Sequence, residues 1–460
     1  MNLANIHQVY FIGIGGIGMS ALARYFVQIG KSAAGYDKTP STLTTALMSQ
    51  NIEIHFEDDV AQIPSQFKNP STTLVVITPA VPNHHEELQY FIENKFNVLK
   101  RATVLGLITQ NTFCYAVAGT HGKTTTSAIL AHVLFENNSD MTAFLGGILE
   151  NYQSNLLGNG SSISVVEADE FDRSFLQLHP NVACITSMDA DHLDIYGNAD
   201  AIEASFLEFA HKVENPKNLF HPIVLPLHGT TLGIETEADF TVQNIQIVDG
   251  SYHFDIKTPQ GVLTDFVFHL PGRHNLMNAL TAFAMAYSQG VDAHQIRKSF
   301  DTFKGIKRRF SYQIKTKELV YVDDYAHHPT EIQAVHDALR ELYPNQKITV
   351  VFQPHLFSRT QDFAKDFAYQ LSRFDTVLLL EIYPARELPI PGINSSWLLK
   401  MIDSKDKKWI AKENLITALL ASNNNIFVTI GAGDIGEWVP EIKKALEGKI
   451  SQTKFQQHEK

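Results

Sequence analysis

Short apolar runs recur along the 460-residue chain, and many are followed at once by glycine or by charged residues. Runs of about four to eight apolar residues bounded by turn signals are typical of strands buried inside a parallel sheet. Between these runs, apolar residues recur at spacings of three and four, which predicts amphipathic helices. The alternation of the two patterns predicts an α/β fold.

The length of the chain predicts two or three domains, each able to bury its own core. The predicted elements fall into three groups. They are an N-terminal Rossmann-like domain (1–108), a central P-loop ATPase-like domain with a parallel sheet (109–308) and a C-terminal Rossmann-like domain (309–460).

The most informative segment runs from Gly119 to Thr126 and follows a predicted strand over 113–118. A strand, a tight glycine turn and Lys-Thr at a helix start form the usual cradle for a nucleoside triphosphate and its Mg²⁺. The sequence of this segment departs from the standard P-loop motif, because Val117 occupies the position of the first glycine of that motif. The predicted triphosphate-binding residues are Gly119, Thr120, His121, Gly122, Lys123, Thr124 and Thr125.

A second glycine-rich turn follows the predicted strand 9–12, and an acidic residue, Asp37, ends the next strand. The pattern fits the dinucleotide fingerprint and by itself favours an NAD-dependent oxidoreductase. The physical requirement is only a diphosphate at a helix N-terminus, so a UDP-sugar fits equally well. The candidate residues are Gly13, Gly15, Gly16, Gly18, Asp37 and Arg101.

Two predicted strands of the central third, 161–166 and 182–187, end in acidic clusters. The carboxyl ends of parallel strands share one edge of a sheet, so these clusters are expected near the P-loop. Carboxylate oxygens suit Mg²⁺, whereas a histidine ligand is less usual. Each cluster alone is equally consistent with a solvated loop. The residues predicted to converge are Lys123, Thr124, Glu170 and His192.

Further polar residues begin predicted helices or follow predicted strands in the last 190 residues. Asn275 and Asn278 lie three apart at the start of a helix, where they either contact adenine or cap the helix. From Arg309 onward the pattern is a β-α alternation, with helices ending near Leu339 and Leu371. The polar residues at its strand ends are Asp324, His327, Arg359 and Arg386.

Composition narrows the possible classes of protein. The net charge of −12 argues against a nucleic-acid-binding protein. Cys114 and Cys184 lie in apolar runs and are predicted to be buried thiols in a reducing cytoplasm. No apolar run approaches ~18 residues, and the N-terminal residues do not resemble a signal peptide, so no membrane association is expected. The oligomeric state stays open between a monomer and a homodimer.

As a set, these segments resemble the Mur ligase family, which builds the peptide of bacterial cell-wall precursors. The resemblance covers essentially the whole chain and accounts for the unusual P-loop, because the family loop is G-T-x-G-K-T. The segments that carry it are Gly13–Gly18, Gly119–Thr126, Glu167–Glu170, Asp191-His192, Gly272–Asn278, Lys307–Phe310, Asp323–Glu331 and Gln353–Thr360.

The resemblance implies an ATP-dependent ligase that joins L-alanine to the carboxylate of UDP-N-acetylmuramate through an acyl phosphate. It implies that 1–108 binds the UDP-sugar, 109–308 binds ATP, and 309–460 closes over ATP and binds the amino acid. The implied roles are catalysis for Lys123, Glu170, His192 and Arg309, and Mg²⁺ binding for Thr124, Glu170 and His192. Further implied roles are ATP contacts for Asn278, Arg309 and Asp324, and amino-acid contacts for His355, Arg359 and Arg386.

Two details qualify the resemblance. No lysine lies between Leu193 and His211, as expected for the alanine-adding branch, since members that act later use a carbamylated lysine in this region. Leu356 stands where alanine-adding enzymes often have arginine, which leaves Arg359 or Arg386 to bind the alanine carboxylate. The alternatives are a tripeptide-recycling Mur ligase, an NAD-dependent oxidoreductase and a non-catalytic nucleotide-sugar sensor.

Overall fold

The structure, a computed structural model, describes residues 3–189, 196, 198–385 and 387–458. The chain forms two compact units. The first comprises Met1–Gln246, His253–Phe268 and Met277–Lys304, and the second comprises Ile247–Tyr252, His269–Leu276 and Gly305–Lys460. The α/β class predicted from the sequence is confirmed in both.

The first unit begins with a five-stranded parallel sheet in the order β3-β2-β1-β4-β5. The apolar residues Val9 to Ile12 are fully buried, because their strand is the central one and helices cover both faces. The strands are β1 (Gln8–Ile12), β2 (Ser32–Tyr36), β3 (Glu53–His55), β4 (Thr73–Ile77) and β5 (Asn97–Lys100). The helices are α1 (Ile17–Gln28), α2 (Thr42–Met48), α3 (Glu86–Glu93) and α4 (Arg101–Thr109).

A ten-stranded sheet follows, in the order β15-β14-β13-β12-β11-β10-β6-β9-β7-β8. Its strands are β6 (Phe113–Ala118), β7 (Met141–Leu149), β8 (Ser154–Leu157), β9 (Ile163–Glu167), β10 (Val182–Ile185), β11 (Leu219–Pro222), β12 (Thr230–Ile234), β13 (Phe240–Val248), β14 (Ser251–Thr258) and β15 (Gly261–Phe268). Pairing is parallel from β7 through β13, whereas β7 and β8 form an antiparallel hairpin. The helices of this segment are α5 (Lys123–Glu136), α6 (Ala199–Ala210), α7 (Arg273–Tyr287) and α8 (Ala293–Thr302).

The second unit contains a six-stranded sheet in the order β16-β17-β21-β18-β19-β20. Only the β16–β17 pair is antiparallel. The strands are β16 (Ser311–Lys315), β17 (Val320–Asp324), β18 (Ile348–Phe352), β19 (Thr376–Leu379), β20 (Asp406–Trp409) and β21 (Ile426–Ile430). The helices are α9 (Pro329–Leu342), α10 (Phe357–Asp362), α11 (Ala364–Leu371), α12 (Ser395–Met401), α13 (Leu415–Ala421) and α14 (Val439–His458).

Three predictions about these elements were wrong. The β-α alternation expected from Arg309 begins instead with a hairpin, because the turn between β16 and β17, closed by Leu319 N–H donating to Thr316 Oγ1 (3.0 Å), is too short for a crossover. The helix predicted to end near Leu371 is divided at Phe363. The sequence over 206–213 predicts a short amphipathic helix, but the helix in the structure spans Ala199–Ala210, with its first turn capped by the Asn198 side chain.

Both cysteines are buried free thiols, as predicted. Among the helices of the described residues, none combines the length and the apolar character needed to cross a membrane.

Gly35 offers a test of the close approach between two central strands. An added Cβ would lie 2.2 Å from the carbonyl oxygen of Phe11, its partner on β1. We expect Gly35→Ala to destabilise the first unit by about 1–3 kcal/mol, because the backbone of the neighbouring strand must move. Gly448→Ala is the matched control. It meets open space on α14 and is expected to stabilise that helix by about 1 kcal/mol. Thermal melting of both variants tests this prediction, and equal melting temperatures of the two variants would contradict it.

Candidate active site

The segment Gly119–Gly122 forms a tight turn between β6 and α5, as the sequence predicts. Gly119 has φ +126° and Gly122 has φ +82°, a region that favours glycine. A Cβ on Gly119 would also lie 2.1 Å from Thr186 Oγ1. The turn therefore needs glycine at both positions, and the first N–H groups of α5 follow it directly.

The end of β10 fixes the conformation of this turn. Ser187 Oγ accepts the His121 N–H at 2.8 Å and is hydrogen-bonded to Thr120 Oγ1 at 3.0 Å. The Asp189 N–H donates to Thr120 Oγ1 at 2.9 Å, and His121 Nε2 lies 3.2 Å from Asp189 Oδ2. The turn is thus pre-organised by side chains of the neighbouring strand.

Lys123, the first residue of α5, forms a buried ion pair with Glu170. Its Nζ lies 2.9 Å and 2.8 Å from the two carboxylate oxygens and donates to the Gly119 carbonyl at 2.7 Å. Burial alone would lower the pKa of Lys123, but the charges of Glu170, Asp169 and Glu167 raise its pKa above the ordinary value. Lys123 therefore carries a full positive charge at the glycine turn.

Thr124 and Glu167 form an oxygen-rich pair beside that turn. Thr124 Oγ1 donates to Glu167 Oε1 at 3.0 Å, and the Gly146 N–H of β7 donates to Glu167 Oε2 at 2.9 Å. A hydroxyl and a carboxylate are donors that Mg²⁺ prefers, so these side chains fit the predicted metal. Within the described residues, no group of three histidine, cysteine, aspartate or glutamate side chains converges as a metal centre. His192, the third predicted metal ligand, lies outside the described residues.

Asn278 of α7 lies against the same turn. Thr126 Oγ1 donates to Asn278 Oδ1 at 3.2 Å, and a Cβ on Gly122 would come within 2.6 Å of that oxygen. Asn278 is buried beside Gly122. Asn278 is therefore next to the loop whose ligand it was predicted to contact.

The first glycine loop joins β1 to α1, and its predicted acidic partner contacts it. Gly13 has φ +87°, and the Gly15 N–H donates to Asp37 Oδ2 at 2.7 Å. Gly16 is the N-cap of α1. Gly18 lies against Arg101, since an added Cβ would be 2.9 Å from Arg101 Nη1.

Arg101 contacts more than the glycine loop. Its Nη2 donates to Asp169 Oδ2 at 3.3 Å, and Asp169 precedes the Glu170 that pairs with Lys123. One guanidinium therefore lies between Gly18 and the acidic segment that follows β9.

In the second unit, Arg309 lies over an aromatic ring and beside a carboxylate. Its guanidinium carbon is 5.3 Å from the centre of the Tyr325 ring, and Nη1 is 3.7 Å from Glu331 Oε1. Arg308 lies over the same ring at 5.1 Å and donates to Asp323 Oδ2 at 3.1 Å. The two adjacent arginines are thus held in fixed directions around Tyr325.

Asp324 holds the backbone on either side of these cations. Its carboxylate accepts the Phe310 N–H at 2.6 Å and the Ala326 N–H at 2.7 Å. Arg308 and Phe310 have positive φ angles of 62° and 47°, which are strained for residues with a Cβ. Burial raises the pKa of Asp324 to about 6, opposed by the charge of Arg309.

His355 and Arg359, predicted to bind the amino acid, lie together at the end of β18. Arg359 Nη1 is 3.4 Å from His355 Nδ1, and the His355 ring stacks on Tyr383 with 5.9 Å between centres. Leu356 between them has φ +70° and donates its N–H to the Tyr383 carbonyl at 2.9 Å. Arg386 lies outside the described residues.

Two features of these clusters were not predicted from the sequence. Glu167 was recognised only as part of an acidic strand end, although it is the carboxylate that contacts Thr124. Tyr325 was given no role, although both arginines lie over its ring. The role of Glu167 could have been predicted from its position, because it is the last residue of its strand. The position of Tyr325 depends on tertiary packing, which the spacing of residues in the sequence does not encode.

Two glycine-rich turns at helix N-termini, a half-buried lysine and a pair of ordered arginines are typical of an α/β protein that binds phosphate groups. Three family models match the chain. They are the Mur ligase family catalytic domain over residues 8–112, the Mur ligase middle domain over 117–286 and the Mur ligase glutamate ligase domain over 308–433. The chain belongs to the Mur ligase family.

Relatives with assigned names match almost end to end. The UDP-N-acetylmuramate–L-alanine ligase of Flavobacterium psychrophilum is 61% identical over 98% of this chain and 100% of its own. The enzyme of that name from Cytophaga hutchinsonii is 46% identical over 97% of this chain and 98% of its own.

Among solved structures, the UDP-N-acetylmuramate–alanine ligase of Thermotoga maritima matches with a TM-score of 0.80 at 26% identity, covering 97% of this chain and 99% of its own. The murein peptide ligase of Psychrobacter arcticus matches with a TM-score of 0.68 at 20% identity, covering 96% and 98%. The second match supports the shared fold only.

The raised pKa of Asp324 predicts a specific pH dependence. Its folded pKa of about 6 exceeds the ordinary value of the group, so its contribution to stability is present below pH ~4 and is lost as the pH rises through 6. The full effect is about 3 kcal/mol, at 1.36 kcal/mol for each pKa unit. We expect any advantage in melting temperature of the wild type over Asp324→Asn to shrink between pH 4 and 6.

Melting temperatures of both proteins across that pH range test this expectation. Asp366→Asn, at an exposed position on α11, is the control and should show no such trend. A difference between wild type and Asp324→Asn that stays constant with pH would contradict the assigned shift.

Proposed function

We propose that the protein joins L-alanine to the carboxylate of UDP-N-acetylmuramate, with ATP converted to ADP and phosphate. The observation that carries this proposal is the 61% identity, over essentially the whole chain, to an enzyme with that name. The phosphate-binding turn with its charged Lys123 is consistent with the need for ATP.

The reaction has two steps. A carboxylate oxygen of the muramyl group attacks the γ-phosphorus, the bond to the β–γ bridging oxygen breaks, and an acyl phosphate and ADP result. The L-alanine amine then attacks the acyl carbon, phosphate leaves, and an amide forms after the amine loses a proton. Both steps need negative charge to be neutralised and two anionic reactants to be held together.

Residues of the central segment would meet those needs on the ATP side. Lys123 supplies one full positive charge, and the N–H groups of the first turn of α5 have no partner within the helix, so they suit phosphate oxygens. Asn278, beside Gly122, would contact adenine. Before ATP binds, Glu170 neutralises Lys123, so phosphate oxygens would share or replace that partner.

Thr124, Glu170 and His192 are the proposed Mg²⁺ ligands, and Glu167 joins them because its carboxylate accepts the Thr124 hydroxyl. Mg²⁺ in such a site offsets phosphate charge during transfer. Glu167 would orient the Thr124 oxygen, and the Gly146 N–H would orient Glu167.

The remaining assignments complete the proposal. The UDP-sugar would be bound by the loop Gly13–Gly18 with Asp37 and Arg101. Arg309 would contact the γ-phosphate, and Asp324 would contact the nucleotide. The amino acid would be bound by His355 together with Arg359 or Arg386. The domain boundaries stay as proposed at 1–108, 109–308 and 309–460, with the last closing over ATP. We further propose a monomer or homodimer that acts in the cytoplasm, in agreement with its reduced, buried cysteines.

A coupled assay of ADP release tests the substrates. We expect ADP formation to require both UDP-N-acetylmuramate and L-alanine, because the acyl phosphate needs the first and turns over through the second. Omission of either should reduce the rate to a background of ATP hydrolysis. Glycine and L-serine serve as matched amino-acid controls.

Other results would redirect the assignment. Equal turnover with a preformed tripeptide would favour the recycling member of the family. Binding of UDP-N-acetylmuramate without ADP release for any amino acid would favour a nucleotide-sugar sensor. The oxidoreductase alternative is not retained, because the chain belongs to the Mur ligase family.

Glu167→Gln tests the metal assignment. The amide keeps an oxygen for the Gly146 N–H but removes the charge facing Thr124. We expect the Mg²⁺ concentration for half-maximal ADP release to rise about tenfold or more, with a matching loss of Mg²⁺-dependent ATP binding in calorimetry.

Glu237→Gln is the control, since Glu237 is exposed and paired only at the surface with Lys257 in the described structure. A Glu167→Gln protein with a lower melting temperature but an unchanged Mg²⁺ requirement would mean that Glu167 supports β7 and not the metal.

A further inference from the structure

Asn155 is a fully buried amide on β8 that reaches the helix following the first glycine loop. Its Nδ2 donates to the Ile17 carbonyl at 2.6 Å and to Ser20 Oγ at 2.9 Å. Its Oδ1 accepts a hydrogen bond from Arg24 Nη1. The side chain thus satisfies both of its polar atoms on one neighbouring helix, α1.

The contacted groups belong to the part of α1 that follows the anion-binding loop. Ile17 is the first residue of the helix, and Gly16 before it is the N-cap. Ser20 Oγ also donates to the Ile17 carbonyl, and the Ser20 N–H donates to Gly16 O. Movement of this turn would therefore move the N–H groups of the loop.

Arg24 adds a buried charge that depends on the same amide. Only 9% of the residue is exposed, and burial lowers its pKa. The partners described for its guanidinium are the amide oxygens of Asn155 and Gln50, the latter at 3.3 Å. Loss of the Asn155 oxygen would leave this cation poorly solvated, so α1 would be expected to shift.

The hairpin that carries Asn155 also contacts the ATP side of the unit. Its strand β7 donates the Gly146 N–H to Glu167, which accepts the Thr124 hydroxyl. Phe144 of β7 packs edge-to-face on Tyr25 of α1, with 5.1 Å between ring centres. One hairpin therefore supports α1 at one point and Glu167, the carboxylate that contacts Thr124, at another.

We propose that Asn155 is a positioning residue for the UDP-sugar site, holding the first turn of α1 and its glycine loop on the β7–β8 hairpin. This inference rests on the proposed function of Gly13–Gly18 as the UDP-sugar loop. Asn155 itself lies behind the loop and touches α1, so it acts through the helix and not through the ligand.

The test compares Asn155→Ala with Asn151→Ala. Asn151 belongs to the same hairpin, and its side chain bonds Thr302 O and the Lys304 N–H, with no hydrogen bond described to α1. For Asn155→Ala we expect Kd for UDP-N-acetylmuramate in calorimetry, and its KM, to rise about tenfold or more. The Kd for ATP and kcat should stay within about twofold, and Asn151→Ala should change none of these.

Ser20→Ala provides a milder second variant, since it removes one of the three bonds and should raise Kd several-fold even if Asn155→Ala folds poorly. A lower melting temperature with unchanged Kd and KM for the UDP-sugar would overturn the inference, as would an equal loss of ATP affinity. A wild type that binds UDP-N-acetylmuramate but shows no alanine-dependent ADP release would contradict the proposed function alone. In that case the ratio of the Kd values of Asn155→Ala and wild type for UDP-N-acetylmuramate would still test whether Asn155 positions the UDP-sugar site.

Discussion

The structure around the glycine turn Gly119–Gly122 depends on one largely buried ion pair, between Lys123 and Glu170. An isolated ammonium group in a protein interior is costly by several kcal/mol even after the protein relaxes. Glu170, which is only 2% exposed, and the Gly119 carbonyl remove that cost before any ligand arrives. The fold can therefore keep a largely desolvated cation at the start of α5, where its field is stronger than in water.

This pair in turn constrains the chain around Glu170. The Tyr196 hydroxyl donates to the Glu170 carbonyl, and the segment from Phe171 to Gln177 forms two short helical turns separated by a kink at Asp172 and Arg173. Asp172 and Arg173 within it have left-handed φ angles of 53° and 52°. The strained segment is tolerated because it delivers a carboxylate to Lys123 at the edge of the sheet, where the polar ends of buried strands accumulate.

Local sequence patterns were sufficient to predict much of the fold and the central residues of the candidate site. The glycine turns, the strand-end acids and Lys123 were predictable because each depends on a few adjacent residues. The β16–β17 hairpin, the division of the helix at Phe363 and the partnership of Glu167 with Thr124 were not, because they depend on contacts between distant segments. Asn155 carries no motif at all, and only its burial against α1 distinguishes it from an ordinary surface amide.

The backbone at Leu356 has a consequence for how this position can vary. A leucine at φ +70° is held in a conformation that costs on the order of 1 kcal/mol or more relative to glycine. Glycine would relieve that cost in the folded chain, but it would also enlarge the unfolded ensemble by a similar amount. Leu356 is also only 7% exposed, and the loss of its buried side chain would make the exchange destabilising by about 2–5 kcal/mol. Position 356 therefore joins two demands in one residue, a buried apolar side chain and a backbone turn between His355 and Arg359 that glycine would adopt more easily.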